Sequence, residues 1–269
     1  MTPTLNIIGA GRVGRVLGRL FAASGAFTVQ DVLTRSQASA DDAVRFMGAG
    51  RAVGAIDQMR AADAWMLAVG DDQIEAACAQ LAPAGAVVFH CSGAKSSKAL
   101  DAAARAGALT ASLHPIRSFA DPGQVALHFG GTFCGVEGDA RALDMLAGAL
   151  AAIGGRAVPI DAAAKTVYHA ASVFASNYLV TVLDAALRAY QAAGISEEVA
   201  RQLAAPLASE TLANVLRLGP EAALTGPIAR GDVETVARQQ DALDAWDGPS
   251  GKLYRALAQA TTELANRRK

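Results

Sequence analysis

The chain has 269 residues, 52% hydrophobic but only 5% aromatic, with 24 Lys and Arg against 25 Asp and Glu. That length suits two domains. The Ala- and Gly-rich composition fits close-packed helices and parallel strands, not an aromatic-rich β-sandwich or a disordered chain. A formal charge of -1 leaves no electrostatic footprint for a nucleic-acid backbone, so DNA and RNA are excluded as expected partners.

Met1-Thr2-Pro3-Thr4 runs straight into an apolar stretch, Leu5 to Ile8, without the charged region of a secretory signal. From there to about Ile160, short apolar runs alternate with helical stretches, the rhythm of β-α-β units. Predicted strands are Leu5 to Ile8, Thr28 to Thr34, Ala52 to Ile56, Ala64 to Val69, Ala86 to His90, Leu109 to Leu113, Gly131 to Val136 and Arg156 to Ile160. The expected class is α/β: a Rossmann-type, doubly wound, mostly parallel sheet followed by an all-α domain. The boundary falls near residue 160, giving a dinucleotide-binding domain over 1–160 and a helical substrate and dimerisation domain over 161–269.

Between the first strand and the helix opening at Arg12 lies Gly9-Ala10-Gly11-Arg12-Val13-Gly14, a G-x-G-x-x-G loop. Gly9 permits the tight turn, Gly11 lets the backbone approach a pyrophosphate, and Gly14 lets helix and strand pack closely. The helix N-terminus beyond offers amide donors and a positive dipole end to phosphates. The second strand ends in Thr34-Arg35-Ser36. Cationic and hydroxyl donors there suit the 2′-phosphate of NADP(H), whereas NAD(H) calls for a carboxylate toward the ribose. NADP(H) is therefore preferred over NAD(H), with Asp31 the competing ribose acceptor.

Two more strands end in Val69-Gly70-Asp71 and in Cys91-Ser92-Gly93. Ligands of open α/β sheets bind beyond the carboxyl ends of the strands, so Val69, Gly70, Cys91 and Ser92 should line the nicotinamide half. Leu113-His114-Pro115-Ile116-Arg117-Ser118-Phe119 gathers His, Arg and Ser in one loop. There Arg117 can clamp a carboxylate and His114 can orient or protonate a carbonyl oxygen. A histidine satisfied by structural hydrogen bonds is the plainer alternative.

From Ala162 to about Ala193 neither Gly nor Pro interrupts a helical stretch, some 40 Å or more at ~1.5 Å per residue. Lys165, His169, Ser172 and Ser176 are spaced 4, 3 and 4 apart and share one face; Asn177 is turned ~80° from His169. Lys165 or His169 can supply the proton that hydride transfer to a carbonyl or imine requires, with Asn177 and Ser92 positioning the reacting centre. Helices over Ser196 to Leu218, Val233 to Ala245 and Ser250 to Ala265 follow, the first and last opening on Ser caps. The Gly- and Pro-punctuated segment Ala223 to Asp232 breaks the helical half, and from it Thr225 is a candidate substrate contact. Arg267, Arg268 and Lys269 form a basic cluster to which no function is given.

Cys78, Cys91 and Cys134 form no C-x-x-C pair, so neither a disulfide framework nor a thiolate zinc site is expected, and no spacing suggests a metal. No run approaches the ~18 apolar residues of a membrane span, which with the reduced cysteines points to a cytoplasmic protein.

Gly9 to Gly14, His90 to Ala94, Leu113 to Phe119, Tyr168-His169-Ala170-Ala171 through Ser176-Asn177-Tyr178-Leu179, and Leu224 to Asp232 together resemble a bacterial family of NADP oxidoreductases. That family joins a Rossmann-like domain to a helical C-terminal domain of unknown function. The resemblance implies a fold similar to pyrroline-carboxylate reductase, ketopantoate reductase and the 6-phosphogluconate dehydrogenase superfamily, with a homodimer formed through the helical domain. It supplies no substrate; the residues themselves suggest reduction of a small carbonyl or imine compound such as a keto acid, with reduction of a deazaflavin a third and smaller alternative. The alternative is a non-catalytic NADP(H)-binding regulatory or interaction protein.

Overall fold

The computed structural model describes residues 1–267; Arg268 and Lys269 of the basic cluster lie outside the described residues. The chain forms two compact units, Met1–Ser176 and Asn177–Lys269.

The first unit is built on eight strands: β1 (Thr4–Ile8), β2 (Thr28–Leu33), β3 (Arg51–Val53), β4 (Ala64–Leu67), β5 (Val87–His90), β6 (Leu109–Pro115), β7 (Phe133–Gly138) and β8 (Arg156–Pro159). Their order across the sheet is β3-β2-β1-β4-β5-β6-β7-β8. All neighbours are parallel except β6 and β7, so the sheet is doubly wound and mostly parallel, as the sequence predicts. All eight predicted strands form, with ends displaced by a few residues; the third stops at Val53 because Ile56–Gln58 turns into a short 3-10 helix.

Helices α1 (Arg12–Ser24), α2 (Gln37–Met47), α3 (Ile74–Cys78), α4 (Asp101–Arg105), α5 (Pro122–Leu127) and α6 (Ala140–Ala152) connect the strands, and α7 (Lys165–Val173) follows β8. Strand β4 is buried at every position, and so is β5; sheets covered on both faces demand such unbroken apolar runs. Helix α1 buries Gly14, Val16, Leu17, Gly18 and Phe21 at helical spacing and ends on Gly25 at φ 72°, a left-handed cap. Phe21 meets Phe27 edge to face at 5.3 Å beneath β2.

The second unit holds α8 (Leu179–Ala192), α9 (Glu197–Leu218), α10 (Pro220–Ala223), α11 (Pro227–Arg230), α12 (Val233–Trp246) and α13 (Gly248–Arg267). Ser196 caps α9 by accepting from the Val199 amide. Ser250, by contrast, is no cap: α13 begins at Gly248, and Ser250 sits buried in its first turn, donating to Asp247 Oδ2 at 2.5 Å.

Two expectations about the interdomain helical stretch need correction. It is not uniform, because residues Phe174–Tyr178 form a π-helical turn, which alters the angle between residues on either side. It also reaches membrane-span dimensions: Ala162–Ala192 is 31 residues long, its most apolar 18-residue window has a mean hydropathy of 1.4, and none of that window is buried. Counting only unbroken apolar runs hid this, since Ser, Thr and Tyr interrupt the run without lowering its mean hydropathy much. By length and composition alone the core helix of a soluble protein passes the same test, so one such helix is weak evidence for a membrane span.

Candidate active site

The three loop glycines have distinct physical roles. Gly9 holds φ at +84°, and a Cβ there would lie 2.6 Å from the Ala68 carbonyl oxygen. A Cβ on Gly14 would lie 2.5 Å from the Gly9 carbonyl oxygen, so only glycine lets α1 start this close to the turn. A Cβ on Gly11 would meet nothing within 4 Å, so the backbone there faces open space. No side chain caps α1. The loop thus has the open front and uncapped helix N-terminus that a pyrophosphate requires.

This loop lies where the strand order reverses, between β1 and β4. Two clefts meet there and share Gly11, Ala68, Val69 and Gly70 in their walls. One, of about 430 Å³, is walled by Gly9, Arg15, Thr34, Arg35, Ser39 and Gln73. Arg35 is exposed at its mouth. Ser36 does not line it: its hydroxyl accepts from the Ser39 amide at 3.3 Å as the cap of α2, while Ser39 itself faces the cleft. Arg15, Ser39 and Gln73 escaped sequence reasoning; the one signal for Ser39 is its place in the first turn of a helix opened by Ser36.

Asp31, the competing ribose acceptor, is fully buried. Its Oδ1 accepts from Arg51 Nε at 2.9 Å and Arg60 Nη2 at 2.8 Å, and its Oδ2 accepts from the Arg60 amide at 2.8 Å and Arg60 Nε at 3.1 Å. Burial alone would raise its pKa, but the hydrogen bonds from Arg60 and Arg51 overcome that and hold it at about 2. All its acceptor capacity serves this brace.

The second cleft, of about 520 Å³, is polar and is walled by Arg12, Val13, Asp71, Cys91, Ser92, Gly93, His114, Arg117, Phe119 and His169, together with the shared residues. Both imidazoles crowd Gly93: a Cβ there would overlap His169 Cδ2 and stand 2.8 Å from His114 Nε2. The rings of His114 and His169 meet edge to face with centroids 5.6 Å apart. Burial, with His169 and Lys165 nearby, pushes the His114 imidazole down to about 4, so it is neutral at physiological pH. Its Nδ1 is hydrogen-bonded to the Tyr168 hydroxyl at 2.8 Å. Cys91 is a poor nucleophile here, its thiol pushed up to about 12 by burial.

Beneath Ser92 lies a buried polar web. The Ser92 hydroxyl donates to Asp71 Oδ2 at 2.8 Å and accepts from the amides of Lys95 and Ala94 at 3.0 and 3.2 Å, filling its hydrogen-bonding capacity. The Ser92 amide donates to His90 Nδ1 at 3.1 Å, which leaves the proton on Nε2 for the Ser96 carbonyl at 3.0 Å. Lys165, only 2% exposed, donates to the Ser92 carbonyl at 3.1 Å and to the Ser112 hydroxyl. Glu137 lies 3.7 Å from Lys165 Nζ and accepts from the Ser97 amide and hydroxyl at 2.7 and 2.8 Å. Burial lowers the Lys165 pKa while Glu137 opposes the shift.

Ser92, His114, Arg117 and His169 therefore share one cleft, whereas Lys165 lies behind its wall. Arg117 donates to the His128 carbonyl and to Thr132 Oγ1 at 3.1 Å, so part of its guanidinium is already engaged. Ser176 is exposed, as are Asn177 and Thr225 in the second unit. Among the described residues, no group of three or more His, Cys, Asp or Glu is arranged to hold a metal ion.

Two family models match this architecture, a Rossmann-like domain over residues 3–115 and a domain of unknown function (DUF2520) over residues 132–261. The chain joins a Rossmann-like domain to a DUF2520 domain. Among solved structures, protein TM1727 from Thermotoga maritima is 27% identical, with a TM-score of 0.74 over 98% of this chain and 99% of that one. The "putative NADP oxidoreductase BF3122" from Bacteroides fragilis is 19% identical, with a TM-score of 0.81 over 97% and 98% of the two chains. A reductive aminase from Aspergillus terreus, solved with NADPH and ethyl-5-oxohexanoate, is 18% identical, with a TM-score of 0.68 over 99% and 93%. At these last identities the likeness concerns the fold. No curated protein sequence matches the chain. The order expected from sequence, a Rossmann-like domain followed by a helical domain of unknown function, is the order found.

Proposed function

We propose that this protein is an NADP(H)-dependent reductase of a small carbonyl or imine compound. The observation that carries the reading is the His114–His169 pair over Gly93 in a polar cleft that continues into a glycine-loop crevice. A non-catalytic dinucleotide binder would have no need of polar, proton-bearing groups there.

The amides around Gly9, Gly11, Arg12, Val13 and Gly14 hold the pyrophosphate in this reading. Arg35, with Thr34, Ser39 and Arg15, takes the 2′-phosphate; Val69, Gly70 and Cys91 flank the nicotinamide. NADP(H), when bound, supplies the hydride. His114 or His169 meets the charge that develops on the substrate oxygen or nitrogen, and the free N–H groups of Arg117 take an acidic substituent. Lys165 and Ser92 keep the cleft wall in place. Withdrawal of Asp31 into its arginine brace favours NADP(H) over NAD(H), since no carboxylate remains at the end of β2 for a ribose 2′-hydroxyl. The solved reductive aminase, bound to NADPH and a keto ester, supports the same substrate class.

Residues 1–160 serve the cofactor and 161–269 the substrate and self-association. Leu207, Leu212 and Leu216 on α9 and Val180 on α8 are at least half exposed, which favours a homodimer through the helical unit. Asn177, Ser176 and Thr225 are proposed substrate contacts, and a cytoplasmic location follows from the reading as an NADPH enzyme.

Calorimetric titration tests the cofactor assignment. Wild type should prefer NADP(H), and Arg35→Ala should lose about ten- to a hundred-fold of that preference, the worth of one charge-assisted contact. NADPH oxidation against pooled keto acids and cyclic imines tests the reaction. Failure of both dinucleotides to bind would refute the proposal.

A further inference from the structure

We propose that Tyr168 is a positioning residue that fixes His114 as its Nε2–H tautomer, so that a neutral N–H donor is presented to the cleft. The purpose of this device rests on the reductase reading; the tautomer itself does not.

Tyr168 lies on α7 and His114 on β6, directly opposite Gly135 of β7. A Cβ on Gly135 would overlap Tyr168 Oη, so the phenol enters only because that position is glycine. It meets His114 Nδ1 at 2.8 Å, with the rings at 89° and centroids 5.6 Å apart. The other ring nitrogen, Nε2, stands over Gly93, where the missing side chain leaves the cleft open to it.

One hydrogen occupies the bond between the two side chains, and two arrangements compete. If Nδ1–H donates to the phenol, the phenol's own hydrogen needs another acceptor, and among the described residues Tyr168 has no other hydrogen-bonded acceptor. If the phenol donates to Nδ1, every hydrogen has a place and Nε2–H points at the cleft. Burial keeps the phenol protonated, its pKa pushed up to about 12, and keeps the imidazole neutral. The neighbouring His169 ring also disfavours a positive charge on His114.

Such a pair can pass a proton as well as hold one. When a developing oxyanion or imine-derived nitrogen anion takes the Nε2 proton, Nδ1 takes the phenolic proton. The negative charge then rests on the Tyr168 oxygen until solvent protonates Nε2 and the Nδ1 proton returns to the phenolate. No imidazolate persists, and His114 ends as it began, neutral.

The test is ¹⁵N magnetic resonance of the imidazole nitrogens in the full-length protein, with the His114 signals identified by their loss in His114→Gln. Wild type at neutral pH should show a protonated Nε2 and a bare, hydrogen-bonded Nδ1, unchanged down to about pH 5. Tyr168→Phe should shift His114 toward a mixture of tautomers. A proton on Nδ1 or an imidazolium at pH 7 in wild type would overturn the proposal whether or not the variant folds. So would an unchanged tautomer ratio in a folded Tyr168→Phe. If dinucleotides fail to bind while the tautomer is as stated, the reductase reading falls and this assignment stands.

Discussion

Replacing Asp31 with asparagine should weaken the fold without touching cofactor choice. The carboxyl is held at about 2 against 3.8 for a free aspartate, a shift of roughly two units, and each unit is worth about 1.4 kcal/mol. Asp31→Asn should therefore lose about 2.5 kcal/mol at pH 7, which lowers the melting temperature by roughly 5–10 °C for a chain of this size. Because the folded-state pKa lies below the unfolded one, the contribution is complete above pH ~4 and fades as pH falls toward ~2. Urea melts of both proteins from pH 7 down to pH 2.5 should show a constant gap at neutral pH that narrows in acid. Titration with NADP(H) and NAD(H) should leave the preference of the variant unchanged, in contrast to Arg35→Ala. A gap below ~0.5 kcal/mol at pH 7, or an NAD(H) affinity that depends on Asp31, would refute the view that this carboxylate serves only the brace.

Gly11→Ala and Gly14→Ala separate binding from packing. The first adds a methyl group into open space and should leave the unfolding midpoint intact while abolishing measurable dinucleotide binding. The second drives a methyl group against the Gly9 carbonyl and should cost about 1–3 kcal/mol in a urea melt. Equal effects of the two on stability would contradict the roles given to the loop. Gly93→Ala should displace both imidazoles and lower NADPH-dependent turnover about a hundredfold with little change in NADPH affinity, as misplacement of reacting groups by ~1 Å does. Unchanged turnover would place the chemistry elsewhere.

The sheet was legible because its strands are continuous apolar runs between turn residues, and the glycine loop because three glycines carry three steric demands at fixed spacing. The reach of side chains was not. Helical spacing puts Lys165 and His169 on one face of α7, yet Lys165 ends beneath Ser92 while His169 borders the cleft. One turn of rise separates a residue covered by the carboxyl ends of β5 and β6 from one beside Gly93. Asp31 was ambiguous for a similar reason: distance from Gly11 suits a ribose contact, but Arg51 and Arg60, twenty and twenty-nine residues later, decide its fate. Tyr168, Glu137 and His90 carried no local signal because each acts on a partner from another strand or helix. The cap assigned to Ser250 failed because Gly248-Pro249 opens the helix two residues earlier.

The web around Ser92 has a thermodynamic corollary. His90 ties both ends of the Ser92–Ser96 turn, Lys165 and Asp71 fasten its start, and Glu137 fastens Ser97. Ordering a mobile loop forfeits roughly 1–2 kcal/mol of entropy per residue, and here that loss falls on folding instead of on ligand capture. The amides of this turn should exchange slowly with solvent deuterium before any ligand arrives, and the cleft can meet its substrate as a lock already cut.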